Sequence, residues 1–296
     1  MKALAKILRP VDRFIAGYQL LMILSTLAFS GNIPVYQTVA MRHTAALAAL
    51  IALRWLTVNR PRKYLTLISD WYPIVTLPVT YRWAGDFVHA IFTWKLDLLL
   101  NRFDLWLLGE DPVRILQRGA SVQFTDLMQL SYCSFFVMIF TSSFVLYRMK
   151  KFREFDNLRL GIITSLYGTY LWFMLLPAHS PRFEVWRHLK LNGGLLTHQI
   201  SAFITSTAYC GGAFPSGHAA ASLIICIFMV RYLKWWSLPF VVTTVLLLLS
   251  TLFGGYHYLA DILAGFMHGA FWICITVYWN RRYRRPGNIP SRGECC

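Results

Sequence analysis

Residues 237–253 read SLPFVVTTVLLLLSTLF, a stretch with no charged side chain. A helix needs about 20 mainly apolar residues to cross the roughly 30 Å hydrocarbon core of a bilayer, and this charge-free stretch continues on both sides. Five more stretches without Asp, Glu, Lys or Arg are long enough for such a helix; they lie between Arg13 and Arg42, Asp126 and Arg148, Arg159 and Arg182, Lys190 and Arg231, and Asp261 and Arg281. The pattern predicts a chain that crosses a membrane several times.

The composition of the 296-residue chain favours the same class. Hydrophobic residues make up 56% and charged residues only 14%, against about 25% charged in a soluble domain, and the mean hydropathy is +0.47. This excludes a disordered chain, a collagen and a secreted disulfide scaffold. The net charge of +16 does not indicate nucleic-acid binding, because the basic residues alternate with apolar runs instead of lining one face. We expect no nucleic-acid partner and no obligate protein partner.

The basic residues predict the orientation of the chain. Five clusters hold 20 of the 29 Lys and Arg residues but only four acidic residues, so they carry the whole net charge of +16. Loops rich in Lys and Arg stay on the cytoplasmic side of a membrane. We therefore expect cytoplasmic termini and cytoplasmic segments at 2–13, 54–63, 148–159, 231–234 and 281–296.

One crossing is hidden. The cytoplasmic clusters 54–63 and 148–159 are separated by only one obvious span, at 126–147. The chain must cross once more between them, and we assign this crossing to 65–83, although that stretch contains one Asp and two Pro residues.

The predicted fold is an all-α polytopic membrane bundle with an additional outer helix. Residues 88–118 alternate apolar and charged residues at helical spacing, as expected of an amphipathic helix on the outer surface. Residues 1–124 form the N-terminal membrane helices and interfacial segment, 125–280 a catalytic helical core, and 281–296 a basic cytoplasmic tail. About eight spans result, or six if 37–90 is arranged differently; the eight lie near 14–30, 37–56, 65–83, 126–147, 159–177, 217–233, 237–253 and 258–279.

Polar residues with a chemical role lie where one predicted span begins. Segment 205–222 reads TSTAYCGGAFPSGHAAAS and leads into the span at 217–233. The backbone N–H groups and dipole of a helix N-terminus form a natural phosphate site. Ser216 can donate through its hydroxyl, Gly217 lets the backbone approach closely, and His218 can protonate a leaving oxygen. The alternative is a helix cap with an interfacial histidine.

A second histidine returns to the same surface. His257 follows His218 by 39 residues, and the chain goes in by one helix and out by the next between them. His257 and Asp261 are four residues apart, on one helix face. A carboxylate there can hold one imidazole nitrogen and leave the other to attack. A structural His–Asp pair is the alternative, and a metal site formed by His218, His257 and Asp261 is conceivable by residue type.

Arg182 is a third candidate. It is the first charged residue after the predicted span at 159–177, and its guanidinium could bind a phosphate in a bidentate manner. The alternative is an ordinary interfacial arginine. The histidines of the same loop, His179, His188 and His198, fit ordinary loop chemistry better than catalysis.

These motifs together resemble one family. PSGH at 215–218 followed by HxxxD at 257–261 resembles the type-2 phosphatidic acid phosphatase superfamily, whose pattern is KxxxxxxRP, PSGH and SRxxxxxHxxxD. The resemblance covers roughly residues 125–280. It implies that His257 takes the phosphoryl group as phosphohistidine, that Asp261 orients His257, and that His218 protonates the departing alcohol. It also implies that no metal or other cofactor is used.

The chain departs from the family pattern at its cations. Ser250 and Thr251 stand where the pattern has Ser and Arg, and Leu175 stands where it has Lys; the order at 181–182 is Pro-Arg, not Arg-Pro. These departures resemble the branch that contains fungal inositol phosphorylceramide synthases and their bacterial relatives. That branch includes phosphotransferases as well as phosphatases.

The sequence therefore predicts a metal-independent membrane enzyme that hydrolyses a phosphomonoester of a membrane lipid at the outer or lumenal face. The alternative is a phosphotransferase that moves a phospho-headgroup from a phospholipid to a lipid alcohol. The membrane is a bacterial inner membrane, or an endomembrane in a eukaryote. A transporter or non-catalytic scaffold would need charges at mid-membrane along several spans, and only Asp70 and Arg42 fit that description.

Overall fold

The computed structural model describes residues 7–185 and 191–282. Helices dominate these ranges, which contain no strand beyond an isolated bridge between Ala178 and Gly212. The all-α prediction is therefore confirmed. The predicted basic tail at 281–296 lies outside the described residues, apart from the last two residues of the final helix.

The helices are numbered here in chain order. They are α1 (Pro10–Ala28), α2 (Tyr36–Asn59), α3 (Lys63–Val75), α4 (Leu77–Ala84), α5 (Asp97–Leu108), α6 (Pro112–Gln117), α7 (Val122–Arg148), α8 (Phe152–Leu175), α9 (Pro181–Glu184), α10 (Leu195–Thr207), α11 (Gly217–Leu233), α12 (Leu238–Phe253) and α13 (Leu259–Arg282). A 3₁₀ turn at Lys234–Ser237 joins α11 to α12.

Six helical stretches in the described ranges are long and apolar enough to cross a membrane. One of them, Gly217–Phe253, contains two predicted spans, α11 and α12, which the 3₁₀ turn separates. The start of α11 and the end of α12 lie at the same end of the bundle, because both His218 and Thr251 hydrogen-bond to His257. The two helices therefore form the predicted hairpin.

The hidden crossing also runs through the bundle, as two helices. In α3, Asp70 accepts a hydrogen bond from Arg9 (2.8 Å) and pairs with Arg159 (3.6 Å), near the starts of α1 and α8. Beyond α4, His89 Nε2 lies 3.3 Å from Nε2 of His179, which follows the end of α8. Together α3 and α4 traverse the bundle. In the described part of the chain the helices thus pass through the bundle eight times, and the number of these passes that cross a membrane stays a prediction.

Buried ion pairs explain how charges fit inside these helices. Asp12 and Asp70 are almost fully buried, and both pair with the Arg9 guanidinium; Arg54 adds a second partner for Asp12 at 3.0 Å. At the other end of α2, Arg42 pairs with Asp86. A charge inside a membrane bundle is tolerated when it is paired. Asp70 and Arg42 therefore join helices to one another and are not evidence of a transport pathway.

Small residues hold α13 against α11. A Cβ atom at Gly265 would lie 2.5 Å from the carbonyl oxygen of Ser216, and one at Gly269 would lie 2.8 Å from that of Ala220. Glycines four residues apart let two membrane helices approach closely. The first turn of α11 therefore packs directly on the first turns of α13.

The outer amphipathic helix is shorter than predicted and faces the bundle with its acidic side. Residues 88–96 are not helical, and the rest of the predicted segment divides into α5 and α6. On α5 the side chains of Asp97 and Asp104 are buried, whereas apolar side chains are exposed. This is the inverse of a helix on a soluble protein, and it is typical of a helix whose apolar face meets lipid.

Candidate active site

A glycine turn between α12 and α13 places His257. Gly255 has a φ of 65°, a conformation that glycine adopts at little cost. After this turn the backbone N–H groups of Tyr256 and His257 both donate to the carbonyl oxygen of Thr251, at 2.8 and 3.2 Å. Thr251 stands where the family pattern has Arg, and here it is a buried residue that closes the turn.

Asp261 orients the His257 ring. His257 Nδ1 lies 3.3 Å from Asp261 Oδ2, and the same oxygen accepts the Tyr258 N–H at 2.9 Å. Because Asp261 Oδ2 acts as an acceptor towards the Tyr258 N–H, we assign the proton of the His257–Asp261 hydrogen bond to Nδ1, which leaves the lone pair on Nε2. Both side chains are buried, with 5% of His257 and none of Asp261 exposed. Burial lowers the pKa of His257 to about 4, so its ring is neutral at pH 7.

The start of α11 brings His218 close to Nε2 of His257. Ser216 caps the helix, its Oγ accepting the Ala219 N–H at 3.2 Å, and its own backbone N–H donates to the Asp261 carbonyl at 3.0 Å. His218 Nδ1 then lies 3.0 Å from His257 Nε2. Because His257 Nε2 has no proton to give, His218 Nδ1 is the donor. The three residues that the sequence singled out thus form one hydrogen-bonded chain, Asp261–His257–His218.

The other two predicted phosphate ligands of α11 are placed differently. The Ser216 side chain is fully buried and serves the helix cap. Gly217 packs against α8, where an added Cβ would lie 3.2 Å from Leu166 Cδ2. The first N–H groups of an α-helix lack partners within the helix, so the backbone of this turn keeps donors near the histidines.

Arg182 lies beside the His257 loop. Its backbone N–H donates to the Gly255 carbonyl at 2.8 Å, and its Nη1 donates to the Tyr256 hydroxyl at 3.2 Å. The Tyr256 hydroxyl in turn donates to Gln129 Oε1 at 2.8 Å. Arg182 is thus a cation that the fold brings next to the loop that carries His257, whereas Leu175, at the position of the family's Lys, is a half-exposed apolar residue at the end of α8.

Sequence reasoning missed the residues that α7 contributes. The rings of Tyr132 and Phe135 lie 5.0 and 4.4 Å from the His218 ring, and Tyr132 also contacts Tyr256 at 4.1 Å. Gln129, one turn earlier, is fully buried, and its Nε2 has no hydrogen-bond partner. The sequence did contain a signal for them. Gln129 precedes Tyr132 and Phe135 by three and six positions, so all three lie on one face of a predicted span.

Two acids of α5 were missed as well. Asp104 accepts the backbone N–H groups of Leu259 and Ala260 at 2.7 and 2.9 Å. Asp97 accepts the Tyr258 hydroxyl at 3.1 Å and the His179 N–H at 2.9 Å. Burial raises the pKa of both carboxyl groups.

A narrow crevice beside His257 opens on this side, without room for a water molecule. It is lined by residues of α5, α6 and the start of α9, namely Asn101, Asp104, Asp111, Pro112, Val113, Pro181, His257 and Tyr258. Its carboxylates are already engaged, since Asp104 caps α13 and Asp111 caps α6.

The metal alternative finds no support in the geometry of the ring nitrogens. His218 and His257 direct a nitrogen at each other, and the second nitrogen of His257 faces Asp261. Within 7–185 and 191–282, no group of three or more His, Cys, Asp or Glu side chains is arranged to hold a metal ion. His179, which the sequence assigned to ordinary loop chemistry, contacts Glu184 at 3.0 Å.

Comparison with known proteins identifies the family. The family model described as PAP2 superfamily matches residues 101–275. A PA-phosphatase related-family protein of Dictyostelium discoideum is 28% identical over 163 residues, which cover 47% of this chain and only 30% of that relative. No solved structure matches the chain significantly. Because the family match covers more than half of the chain and includes both histidine motifs, this protein belongs to the PAP2 superfamily, the type-2 phosphatidic acid phosphatases.

Proposed function

We propose that this protein is a lipid phosphate phosphatase that works through a phosphohistidine. The observation that carries the proposal is the hydrogen-bonded chain of Asp261, His257 and His218, in which one imidazole has an oriented lone pair and the other has a proton beside it. Nucleophile, orienting carboxylate and acid are the groups that this reaction needs. Membership of the PAP2 superfamily supports the same reaction class.

The first step transfers the phosphoryl group to the protein. His257 Nε2 attacks phosphorus and the bond between phosphorus and the ester oxygen breaks. His218, which enters this step as the imidazolium, gives its Nδ1 proton to that oxygen and becomes neutral, so a lipid alcohol leaves. Asp261 stabilises the positive charge that develops on the His257 ring. Arg182 and the N–H groups at the start of α11 neutralise the phosphoryl oxygens.

The second step returns the protein to its resting state. His218, now neutral, takes a proton from water, whose oxygen attacks phosphorus. The bond between phosphorus and His257 Nε2 breaks, and inorganic phosphate leaves. No step uses a metal ion or another cofactor.

A phosphotransferase is the second candidate, and the departures from the family's cations favour it, because Thr251 and Leu175 stand where the family pattern has Arg and Lys. A transferase must admit an alcohol to the phosphohistidine while it excludes water. The missing family cations are consistent with the inositol phosphorylceramide synthase-like branch, which stays a prediction.

We infer the side of the membrane from charge. The histidines lie at the end of the bundle opposite the basic clusters at 54–63 and 148–159, and by the positive-inside rule this supports a site at the periplasmic or lumenal face. The membrane would be a bacterial inner membrane, or an endomembrane in a eukaryote.

The decisive experiment uses the purified full chain in lipid nanodiscs. A panel of phosphomonoester lipids is incubated with wild-type protein and with His257→Gln, and free phosphate is measured together with acid-labile, base-stable phosphoprotein. The phosphatase proposal expects both signals from the wild type and neither from the variant. Free phosphate released equally by both proteins would reject the proposal.

A further inference from the structure

The N-terminus of the catalytic helix α13 is capped from a distant part of the chain. The first N–H groups of a helix need acceptors, which normally come from the residue just before the helix. Here the carboxylate of Asp104, 155 residues earlier in the sequence, accepts both the Leu259 and the Ala260 N–H groups. A negative charge at this end also interacts favourably with the helix dipole.

A second carboxylate of α5 holds the residue next to the nucleophile. Asp97 accepts the hydroxyl of Tyr258, and it also accepts the backbone N–H of His179, in the loop that leads to Arg182. Asp97 and Asp104 are seven residues apart, so they lie on one face of α5. One short helix, α5, therefore holds both Tyr258, which follows His257 in the sequence, and the first turn of α13.

The opposite face of α5 is largely exposed in the described part of the chain. Leu98, Leu99 and Trp106 are exposed to 63%, 64% and 77%. Helix α5 packs on α13, whose first turns also carry exposed apolar side chains, Leu263 and Met267. Leucines beside an exposed tryptophan are typical of a helix at the level of the lipid headgroups.

We propose that α5 is a positioning element which the bilayer surface holds against the catalytic loop, residues 254–258 between α12 and α13. The rate of phosphoryl transfer then depends on Asp97, on Asp104 and on the contact of α5 with lipid. The proposal rests on the proposed function. Asp97 and Asp104 act through other residues: they set the position of His257 against the phosphorus atom. A displacement of about 1 Å at a reacting group can lower a rate by about 100-fold.

The first test replaces Asp104 with Asn. The amide keeps one acceptor but turns an NH2 group toward a second backbone N–H, so one of the two cap hydrogen bonds is lost together with the negative charge. In nanodiscs, D104N should lower kcat by about 10- to 100-fold, with KM changed by less than about threefold. Hydrogen exchange of the amides at 259–262 should become faster, whereas exchange in α7 and α8 should not change. D97N should show the same pattern.

Asp126 supplies a matched control. It caps α10 on the same side of the bundle, accepting the Gly194 and Thr197 N–H groups, but it does not touch the catalytic loop. D126N should leave kcat within about twofold of wild type. Equal kcat in D104N, D97N and wild-type protein would overturn the proposal. Failure of the wild type to cleave any phosphoester would instead reject the proposed function.

The second test addresses the lipid contact. The double substitution L98Q/L99Q should lower kcat at least about fivefold in nanodiscs, because α5 loses the apolar face that holds it at the bilayer. Its control, W235Q/W236Q, removes two even more exposed apolar side chains (92% and 84% exposed) from the opposite end of the bundle, and kcat should not change. Equal activity of L98Q/L99Q and wild type would show that lipid does not hold α5.

Discussion

His218 Nδ1 and His257 Nε2 lie 3.0 Å apart and share one hydrogen bond. The atom that would attack phosphorus is therefore covered by the residue that would protonate the leaving group. Phosphoryl transfer requires the nucleophile, phosphorus and the leaving oxygen roughly in line, and no phosphoryl group fits between two nitrogens 3.0 Å apart. Substrate binding must separate the two rings, and the His218 ring must move against Tyr132 and Phe135 as it does so.

This arrangement predicts distinct effects for the two histidines. His257→Ala should abolish turnover because the nucleophile is gone, whereas His218→Ala should lower kcat by about 10²- to 10⁴-fold, the range for a general acid. The loss in His218→Ala should be much smaller with p-nitrophenyl phosphate, whose leaving group needs no proton. Initial rates of both variants on an alkyl and a nitrophenyl ester check this, with EDTA present as a control that should have no effect. Near-wild-type turnover by folded His257→Ala protein would exclude the mechanism.

The buried His257 predicts a specific pH dependence. Its pKa is lowered by burial from 6.5 to about 4, so the neutral, nucleophilic ring persists well below pH 6.5. The acid limb of kcat/KM, which reports the free enzyme, should therefore lie below pH 6 and belong to the hydrogen-bonded histidine pair. Between pH 6.5 and about 4 the unfolded chain binds a proton that the folded chain does not, so His257 lowers stability as the pH falls through this window. An acid limb near 6.5 would show that the pKa of His257 is not lowered by burial in the free enzyme.

Arg182 should contribute to phosphate binding. Vanadate mimics the phosphoryl transition state, and it should inhibit the wild type. Arg182→Gln should weaken this inhibition by roughly 10- to 100-fold, the value of one or two charge-assisted hydrogen bonds. The control is Arg118→Gln, since Arg118 is an exposed arginine that pairs with Glu110. The same vanadate affinity in Arg182→Gln as in wild type would remove Arg182 from the phosphate site.

The orientation can be tested by cysteine labelling. In a variant without the six native cysteines, single cysteines are introduced at Asn192 and at Lys150, both of which are exposed. Charge places the first outside and the second inside. An impermeant maleimide added to intact cells should label only the cysteine at 192, and permeabilisation should make the cysteine at 150 reactive. Labelling of both sites in intact cells would contradict the orientation.

The acceptor decides between the two candidate functions. Protein in nanodiscs is incubated with a labelled phosphomonoester lipid and with a labelled phospholipid, each with and without inositol, ceramide or diacylglycerol. The phosphatase should release labelled phosphate at a rate that the alcohol does not change. A new labelled phospholipid that forms only with an alcohol, with negligible free phosphate, would establish the phosphotransferase instead.

Local pattern was enough to predict the helices and the meeting of the two histidines. Charge-free stretches of membrane-spanning length mark the spans, and the basic clusters at 54–63 and 148–159 required the crossing that α3 and α4 supply. His218 and His257 had to meet because two successive helices separate them. His257 and Asp261 had to face each other because they are one helical turn apart. Each of these predictions depends only on spacing along the chain.

The tertiary structure alone decided which face each helix turns inward. Spacing along the sequence shows that α5 has an acidic face and an apolar face. In a membrane protein either face can be the one that packs on the other helices, because leucine is stable against lipid and a carboxylate is stable at a helix N-terminus. Only the packed bundle shows Asp104 at the start of α13 and the α7 rings against His218. Such contacts join residues up to 156 positions apart, and their choice depends on the shape and hydrogen-bonding needs of the partner helix, which no local pattern encodes.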